Sequence, residues 1–297
     1  MQKTHMKIRG KIIIIGGSED KGLTSAKDET DDDADVNRYY ETGVLKRLVN
    51  ESVRKDKSRI EILTTASTVP QEIGQDYIDA FARLGAKDVG VINIESRDEA
   101  SDESFLARLK ACQVIMVTGG DQMRLTSLLG GTAFLDLLHE KLIKEDFVYA
   151  GSSAGAAAAS NIMVFKGASD EALLKGKIRI TAGLGLLNNV IVDTHFVTRG
   201  RIGRLFQSVV ANPQLLGIGM EENAALLIKN NVMEAIGPEM TILVDGRNIA
   251  DTNFIFVEEG EAISIENLTV HVMSKYDTYD LTEHKLTIDH RNNRDEK

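Results

Sequence analysis

The chain is poor in cysteine. Cys112 alone is present, inside the apolar run Cys112-Gln113-Val114-Ile115-Met116-Val117. A single thiol excludes an intrachain disulfide framework and a cysteine-built metal site, and its apolar setting points to the core. Surplus positive charge is also missing. Lysine and arginine number 35 against 45 aspartates and glutamates, a formal net charge of −10. General nucleic-acid or membrane-surface binding wants a basic face, so neither partner is expected. No apolar run approaches the length of a membrane span. Ile12–Ile15 is too short for the apolar core of a signal peptide, and Gly16-Gly17-Ser18-Glu19-Asp20 ends it abruptly. A reducing, cytoplasmic setting is therefore expected. Gly16-Gly17 fits a strand entering a loop at the active edge of an α/β sheet. The pair belongs to neither a Gly-x-Gly-x-x-Gly fingerprint nor a Walker pattern, so a nucleotide loop there has little support. No cofactor or metal is expected, and there are no internal repeats.

The chain does have material for a core. Its 297 residues are 42% hydrophobic and 27% charged, enough for one large domain or two modest ones. After the strand at 11–15, helix and strand signals alternate. Helices are expected at 39–53, 71–84, 102–109 and 132–143, the second with Tyr77, Ile78, Phe81 and Leu84 on one face. Strands are expected at 59–64, 89–94, 113–118 and just before Ser153. Such alternation predicts an α/β fold, a parallel sheet with helices on both faces. Right-handed crossovers then gather the loops after the strands along one edge, where ligands bind. Residues 22–38 hold Asp28, Glu29, Asp31, Asp32, Asp33 and Asp35 without apolar period. They read as a solvated loop, or as carboxylates that attract a cationic substrate. From Gly237 the texture turns β-rich. Thr241–Ile249 suggests a hairpin through Asp245-Gly246, and strands are expected at 253–257, 262–265 and 268–273. With no linker before it, the stretch 237–290 is taken as a β-rich extension of a single domain, 1–297. The tail from Arg291 is highly charged and reads as frayed.

The organising stretch is Phe147-Val148-Tyr149-Ala150-Gly151-Ser152-Ser153-Ala154-Gly155-Ala156. An apolar strand runs into Gly-x-Ser-x-Gly and an alanine-rich helix. Such a turn lifts its central serine, Ser153, clear of the sheet over a helix N-terminus. The plainer alternative is a small-residue turn where a helix packs closely on a sheet.

A serine hydroxyl needs a base, and the base needs an orienting carboxylate. Of six histidines, His195 follows the strand Val190–Thr194, which would place it at the same sheet edge as Ser153. The carboxylate candidates are Asp193, Glu221 and Glu222. Gly217–Met220 reads as a strand delivering the two glutamates, and alternation lets only one of them face His195. From Thr194 to Met220 there is no Asp or Glu, yet Arg199, Arg201 and Arg204 lie there. That favours a site for substrate carboxylates over an ordinary solvated turn. Gly119-Gly120-Asp121-Gln122 ends another strand. The N–H groups of Gly120 and Ala154 suit an oxyanion hole, and Gln122 suits a substrate polar group. Asp121 has a second reading, as the N-cap of a helix starting at Met123.

Four ordered motifs now agree. Val117-Thr118-Gly119-Gly120-Asp121-Gln122, Gly151–Ala156, Asp193-Thr194-His195-Phe196 with Arg199–Leu205, and Met220-Glu221-Glu222-Asn223-Ala224-Ala225 together resemble cyanophycinase, a family related to the aspartyl dipeptidase E peptidases. The resemblance implies a flavodoxin-like sheet, akin to that of class I glutamine amidotransferases, carrying a Ser–His–Glu triad. It makes Ser153 the nucleophile, His195 the base and Glu222 its orienter. It matches Gln122, Asp193, Thr194, Arg199, Arg201 and Arg204 to substrate-binding positions. It implies hydrolysis of cyanophycin, a poly-aspartate with arginine on each β-carboxylate, to β-Asp-Arg dipeptides; a related dipeptidase acting on short Asp-containing or isoaspartyl peptides is the alternative. A homodimer is expected only from the resemblance. Thr194 departs from the family's usual Gln and is shorter. The chain order Ser, His, Glu also differs from the Ser, acid, His order of α/β-hydrolases, and serine at the elbow argues against the amidotransferases, which use cysteine.

Overall fold

The first strands are short apolar runs, and burial explains why. In the computed structural model, which describes residues 8–22 and 43–290, they are β1 (Lys11–Ile15), β2 (Ile60–Leu63), β3 (Val89–Ile92), β4 (Val114–Val117) and β5 (Val148–Ser152). All but β3, the edge strand, are buried along their whole length. Continuous apolar sequence is what a parallel sheet covered on both faces requires. The order is β3-β2-β4-β5-β1, and β3–β2, β2–β4 and β4–β5 pair in parallel. Glu61 is the polar exception in β2. It is fully buried, and Arg59 and Arg108 pair with its carboxylate.

The accompanying helices are α1 (Val44–Glu51), α2 (Pro70–Arg83), α3 (Glu103–Ala111), α4 (Gln122–Leu129), α5 (Ala133–Lys144) and α6 (Ala154–Ala159). Pro70 opens α2 at a position whose N–H would have no helical partner. Tyr77, Ala80 and Phe81 bury one face of α2, while Ile78 is only half-buried. Each large apolar side chain so buried contributes about 1.5–3 kcal/mol. The chain steps one way from β2 to β3 and the other way from β3 to β4 and on to β5. Right-handed crossovers therefore put α2 on one face and α3 and α5 on the other. The contacts agree: α2 packs on β2 and β3, and α3 packs on α5. The reversal falls between β2 and β4, and their carboxyl ends form the switch point where open α/β sheets bind ligands.

The chain divides into two compact units. One holds residues up to Ile14, Ser18–Gly155 and Ile228–Asn230; the other holds Ile15–Gly17, Ala156–Leu227 and the chain from Asn231 on. The second unit is built from β6 (Ile162–Lys166), β7 (Arg179–Ala182), β8 (Val190–Thr194), α7 (Ile202–Ala211), β9 (Leu216–Met220), the first three residues of β10 (Ala225–Lys229), β11 (Val232–Ala235), β12 (Thr241–Asp245), β13 (Asp251–Thr252), β14 (Ile265–Glu266), β15 (Thr269–Met273), β16 (Thr278–Asp280) and β17 (Lys285–Thr287). Its main sheet runs β15-β12-β9-β8, with β8 and β9 parallel and the other pairs antiparallel. Leu205 and Val209 of α7 join Ile191, Phe196 and Val244 in one apolar cluster.

Several expectations need correction. β8 and β9 do not belong to the sheet that carries β5; they lie in this separate four-stranded sheet. Asp245-Gly246 makes no hairpin. Gly246 is not at positive φ, as a two-residue hairpin turn would need, and the Asp245 carboxylate instead takes the N–H and guanidinium of Arg247. Both partners of β12, namely β9 and β15, are antiparallel and remote in sequence. Residues 253–257 are turn rather than strand, because the Asn253 side chain accepts from Ser264 N–H and donates to Ala262. Of the strand expected at 262–265, Ile265 lies in β14 and Ala262 makes an isolated antiparallel bridge with Leu174. The hairpin signal sat elsewhere. Asn230 and Asn231, at φ +52° and +63°, turn β10 into β11. Of the acidic segment 22–38 only Gly22 is among the described residues, and the start of the helix expected from Tyr39 and the tail from Arg291 also lie outside them.

Candidate active site

The elbow is a crowded place. β5 ends at Ser152 and α6 starts at Ala154, so Ser153 alone makes the turn. It does so at φ +48°, a conformation that costs a non-glycine residue about 1–3 kcal/mol. Space comes from its neighbours. A methyl group on Gly155 would lie 2.6 Å from the carbonyl oxygen of Val117, and one on Gly119 would lie 3.3 Å from Cβ of Ser153. Tyr149 donates its hydroxyl to the carbonyl of Gly155 at 2.8 Å and ties the strand to the helix it feeds. Gly120 sits at φ +140° with its α-carbon against the carbonyl of Ala66, where a side chain cannot fit. The N–H of Asp121 donates to that same carbonyl at 2.8 Å. The loops after β2 and β4 are thus joined at the switch point, beside Ser153. Asp121 also caps α4, accepting from Met123 N–H and Arg124 N–H, and Gln122 is the first, half-buried residue of that helix.

His195 occupies a second turn of the same kind. It follows β8 at φ +50° and is 8% exposed. Its ring lies over Gly17, itself at φ +103°, where an added methyl would fall 2.5 Å from Cε1 and 2.6 Å from Nε2. The backbone locks this seat. His195 N–H donates to Gly16 (3.1 Å), Asn223 N–H to Gly17 (2.7 Å), and Gly16 N–H to Ala224 (2.9 Å). Gly16-Gly17 therefore spends its backbone groups holding the turns after β8 and β9. The sequence signal, a glycine pair after the first strand, was visible; its partners His195, Asn223 and Ala224, far along the chain, were not.

The three carboxylate candidates separate cleanly. Nδ1 of His195 is 2.6 Å from Oε1 of Glu222. Glu221 points elsewhere and accepts from Val197 N–H (2.6 Å), Thr198 N–H (3.1 Å) and the Thr198 hydroxyl. Burial works against its charge, yet these donors hold it below the usual carboxylate range. Asp193 is 3% exposed and belongs to the arginines. Arg204 grips it at two points, both 2.9 Å, and Arg201 reaches it at 3.3 Å while donating to the carbonyl of Thr194 at 2.7 Å. Thr194 is buried at the end of β8. The three arginines are not equivalent. Arg204 is buried on α7, Arg201 is the half-buried residue that precedes it, and Arg199 is exposed.

Peptidase family S51 matches residues 12–236, which hold every residue named above. The chain belongs to this family. An S51 chain is a serine peptidase, and the wider likeness agrees. A cyanophycinase of Synechococcus elongatus is 34% identical over 283 residues, 95% of this chain and 82% of that protein. A cyanophycinase of Geminocystis herdmanii is 30% identical over 279 residues, 94% of this chain and 96% of its own. Among solved structures, a peptidase from an acI-B1 actinobacterium superposes with a TM-score of 0.60 at 18% identity, covering 91% of this chain and 98% of its own. That likeness is one of fold. No helix among the described residues of this S51 peptidase is long and apolar enough to cross a membrane.

Proposed function

We propose that the protein is a serine exopeptidase that hydrolyses cyanophycin to β-Asp-Arg dipeptides. Ser153 is the nucleophile, His195 the general base and Glu222 the group that orients and charges the imidazole. The observation that carries this reading is the 2.6 Å contact between His195 Nδ1 and Glu222. A carboxylate on Nδ1 fixes the tautomer in which Nε2 carries no hydrogen and can accept a proton, and it stabilises the imidazolium that results. His195 takes the proton of Ser153 as its oxygen attacks the scissile carbonyl. The carbonyl becomes an oxyanion, and the N–H groups of Gly120 and Ala154 stabilise it. His195 then gives the proton to the leaving amine, and water repeats the sequence on the acyl-enzyme.

The substrate assignment rests on the curated relatives, which are cyanophycinases along nearly the whole chain. The charges suit it. In this reading Arg199 and Arg201 meet substrate carboxylates, and Gln122 and Thr194 supply further contacts. Asp193 holds Arg201 in place and is itself gripped by Arg204. A dipeptidase for short Asp-containing or isoaspartyl peptides would share the same chemistry. Incubation with insoluble cyanophycin, followed by mass analysis of the soluble products, separates the two. β-Asp-Arg is the expected product. Turnover of isoaspartyl dipeptides with no release from the polymer would replace the first reading by the second.

A further inference from the structure

One of the buried carboxylates that the mechanism does not use is bonded to the elbow. Glu19 follows the glycine pair after β1 and is 4% exposed. Ser18 turns the chain at φ +49° just before it. The carboxylate has three partners. The hydroxyl of Ser152 donates to Oε2 at 2.6 Å, the hydroxyl of Tyr77 donates to Oε1, and Lys21 Nζ lies 3.3 Å from Oε1. Tyr77 is 1% exposed on α2, and Lys21 also sits 4.7 Å above its ring. Ser152 is 3% exposed and immediately precedes Ser153.

We propose that Glu19 is a positioning residue for the elbow: it clamps Ser152 and Tyr77 and so fixes the backbone on which Ser153 stands. This rests on Ser153 being the nucleophile. Burying a carboxylate is costly, and an apolar side chain would fill the same space more cheaply if packing were the only need. The geometry shows what the charge is for. A left-handed non-glycine turn persists only when its surroundings over-determine it. Glycines give Ser153 room on one side, but room does not hold a residue still. Ser152 is the last residue before the strain, and its side chain is anchored to a carboxylate that is itself anchored from α2. Burial opposes the charge of Glu19, but Lys21, Ser152 and Tyr77 outweigh it and hold the group below its ordinary range. Burial and the neighbouring carboxylate push the Tyr77 phenol well up, so it remains a donor.

The test uses the full chain and its variants Glu19→Ala, Glu19→Gln, Tyr77→Phe and Ser152→Ala. The rate of acylation by an uncharged fluorophosphonate is read per folded molecule, with folded fraction from circular dichroism. The labelled peptide is identified by mass. kcat and KM on the polymer are read beside it. Losing a charge-assisted hydrogen bond at the elbow should slow acylation and kcat by about ten- to hundredfold, while KM stays within about threefold. Glu19→Gln keeps an acceptor and should recover part of the loss. Ser152→Ala should give a similar loss, and the double variant should lose no more than either single one, because both break the same link. Acylation at the wild-type rate in folded Glu19→Ala or Glu19→Gln overturns the clamp and leaves Ser153 as nucleophile. Additive losses in the double variant overturn it too. If Glu19→Ala does not fold, the milder Tyr77→Phe and Ser152→Ala decide: wild-type acylation in both overturns the clamp. A label on a residue other than Ser153 overturns the underlying reading and the clamp with it.

Discussion

Two turns carry the proposed chemistry, and they draw on space and charge in different measure. Ser153 and His195 share a left-handed backbone, at φ +48° and +50°. The serine turn depends first on space: Gly119 and Gly155 lack the atoms that would collide. The histidine turn adds charge to its backbone lock. Glu221 takes the amides of Val197 and Thr198, Glu222 takes the imidazole, and Asp193 takes two arginines just upstream. A seat made of space is broken by adding a methyl group. A seat made of charge is broken by neutralising an oxygen.

The largest effect tests the premise. Ser153→Ala should keep the fold and lower kcat by about 10⁴ to 10⁶, as loss of a triad nucleophile does. Retention of more than about a tenth of the rate, far above that range, means that Ser153 is not the nucleophile.

Next comes the charged seat. Glu222→Gln keeps the shape but offers His195 the wrong hydrogen-bonding partner, and a loss of about 10⁴ in kcat is expected. Glu221→Gln touches the turn but not the ring, so its loss should stay within about tenfold. Kinetics that reverse this order would move the orienting role to Glu221. The buried pair behind the turn should show in stability instead. Arg204→Ala leaves the buried Asp193 with Arg201 as its remaining charged partner, and breaking a buried pair in this way costs about 3–5 kcal/mol, readable by urea unfolding. A loss under about 1 kcal/mol, the range of exposed pairs, would show that solvent reaches Asp193.

Arg199 is the contrast within the same stretch. It is exposed, so Arg199→Ala should leave stability within about 0.5 kcal/mol. One charge-assisted contact to a substrate carboxylate is worth about 1.5–3 kcal/mol. KM for cyanophycin should therefore rise by about ten- to hundredfold with kcat little changed. Acylation of Ser153 by an uncharged reagent should survive, because that reagent has no carboxylate to lose. An unchanged KM would remove Arg199 from the binding site.

The same contrast explains what the sequence disclosed. Space leaves a local signature. Gly151-Ser152-Ser153-Ala154-Gly155 after an apolar run announces a crowded turn by its small residues alone, although the groups that crowd it, Val117 against Gly155 and Gly119 against Ser153, are remote in sequence. The parallel strands were legible for a similar reason, as burial on both faces demands unbroken apolar residues. Charge leaves no such signature. Nothing in Gly16-Gly17 names His195 or Asn223 as its partner, and the acid-free stretch hid that Asp193, one residue before it, absorbs Arg204. The expectation that only one glutamate of the pair faces His195 came from strand alternation, and the choice of Glu222 came from the family resemblance; both residues in fact follow the end of β9. The β-rich end was read least well. Asp245-Gly246 carries a hairpin dipeptide, but Arg247 captures the aspartate locally, whereas Asn230-Asn231 supplies the positive φ values that a hairpin turn uses.

The smallest expected effect isolates the steric seat. Gly155→Ala adds one methyl group to a helix of alanines, where alanine is the better helix former and would stabilise in open space. Here the methyl meets the Val117 carbonyl oxygen at 2.6 Å, with Val117 Cβ and Cγ1 both at 3.0 Å. Overpacking of this kind costs about 1–3 kcal/mol, more than the propensity gain returns. Trimming the opposing side chain is the informative control. Val117→Ala removes Cγ1 but cannot remove the carbonyl, which belongs to a strand paired with β2 and β5 on either side. The double variant should therefore be no more stable than Gly155→Ala alone. Full rescue by Val117→Ala in a thermal melt would show that the elbow is limited by side-chain packing, which evolution can retune. Its absence would show that the backbone itself sets the limit, so that glycine is required at 155 while the residue at 117 is free to vary.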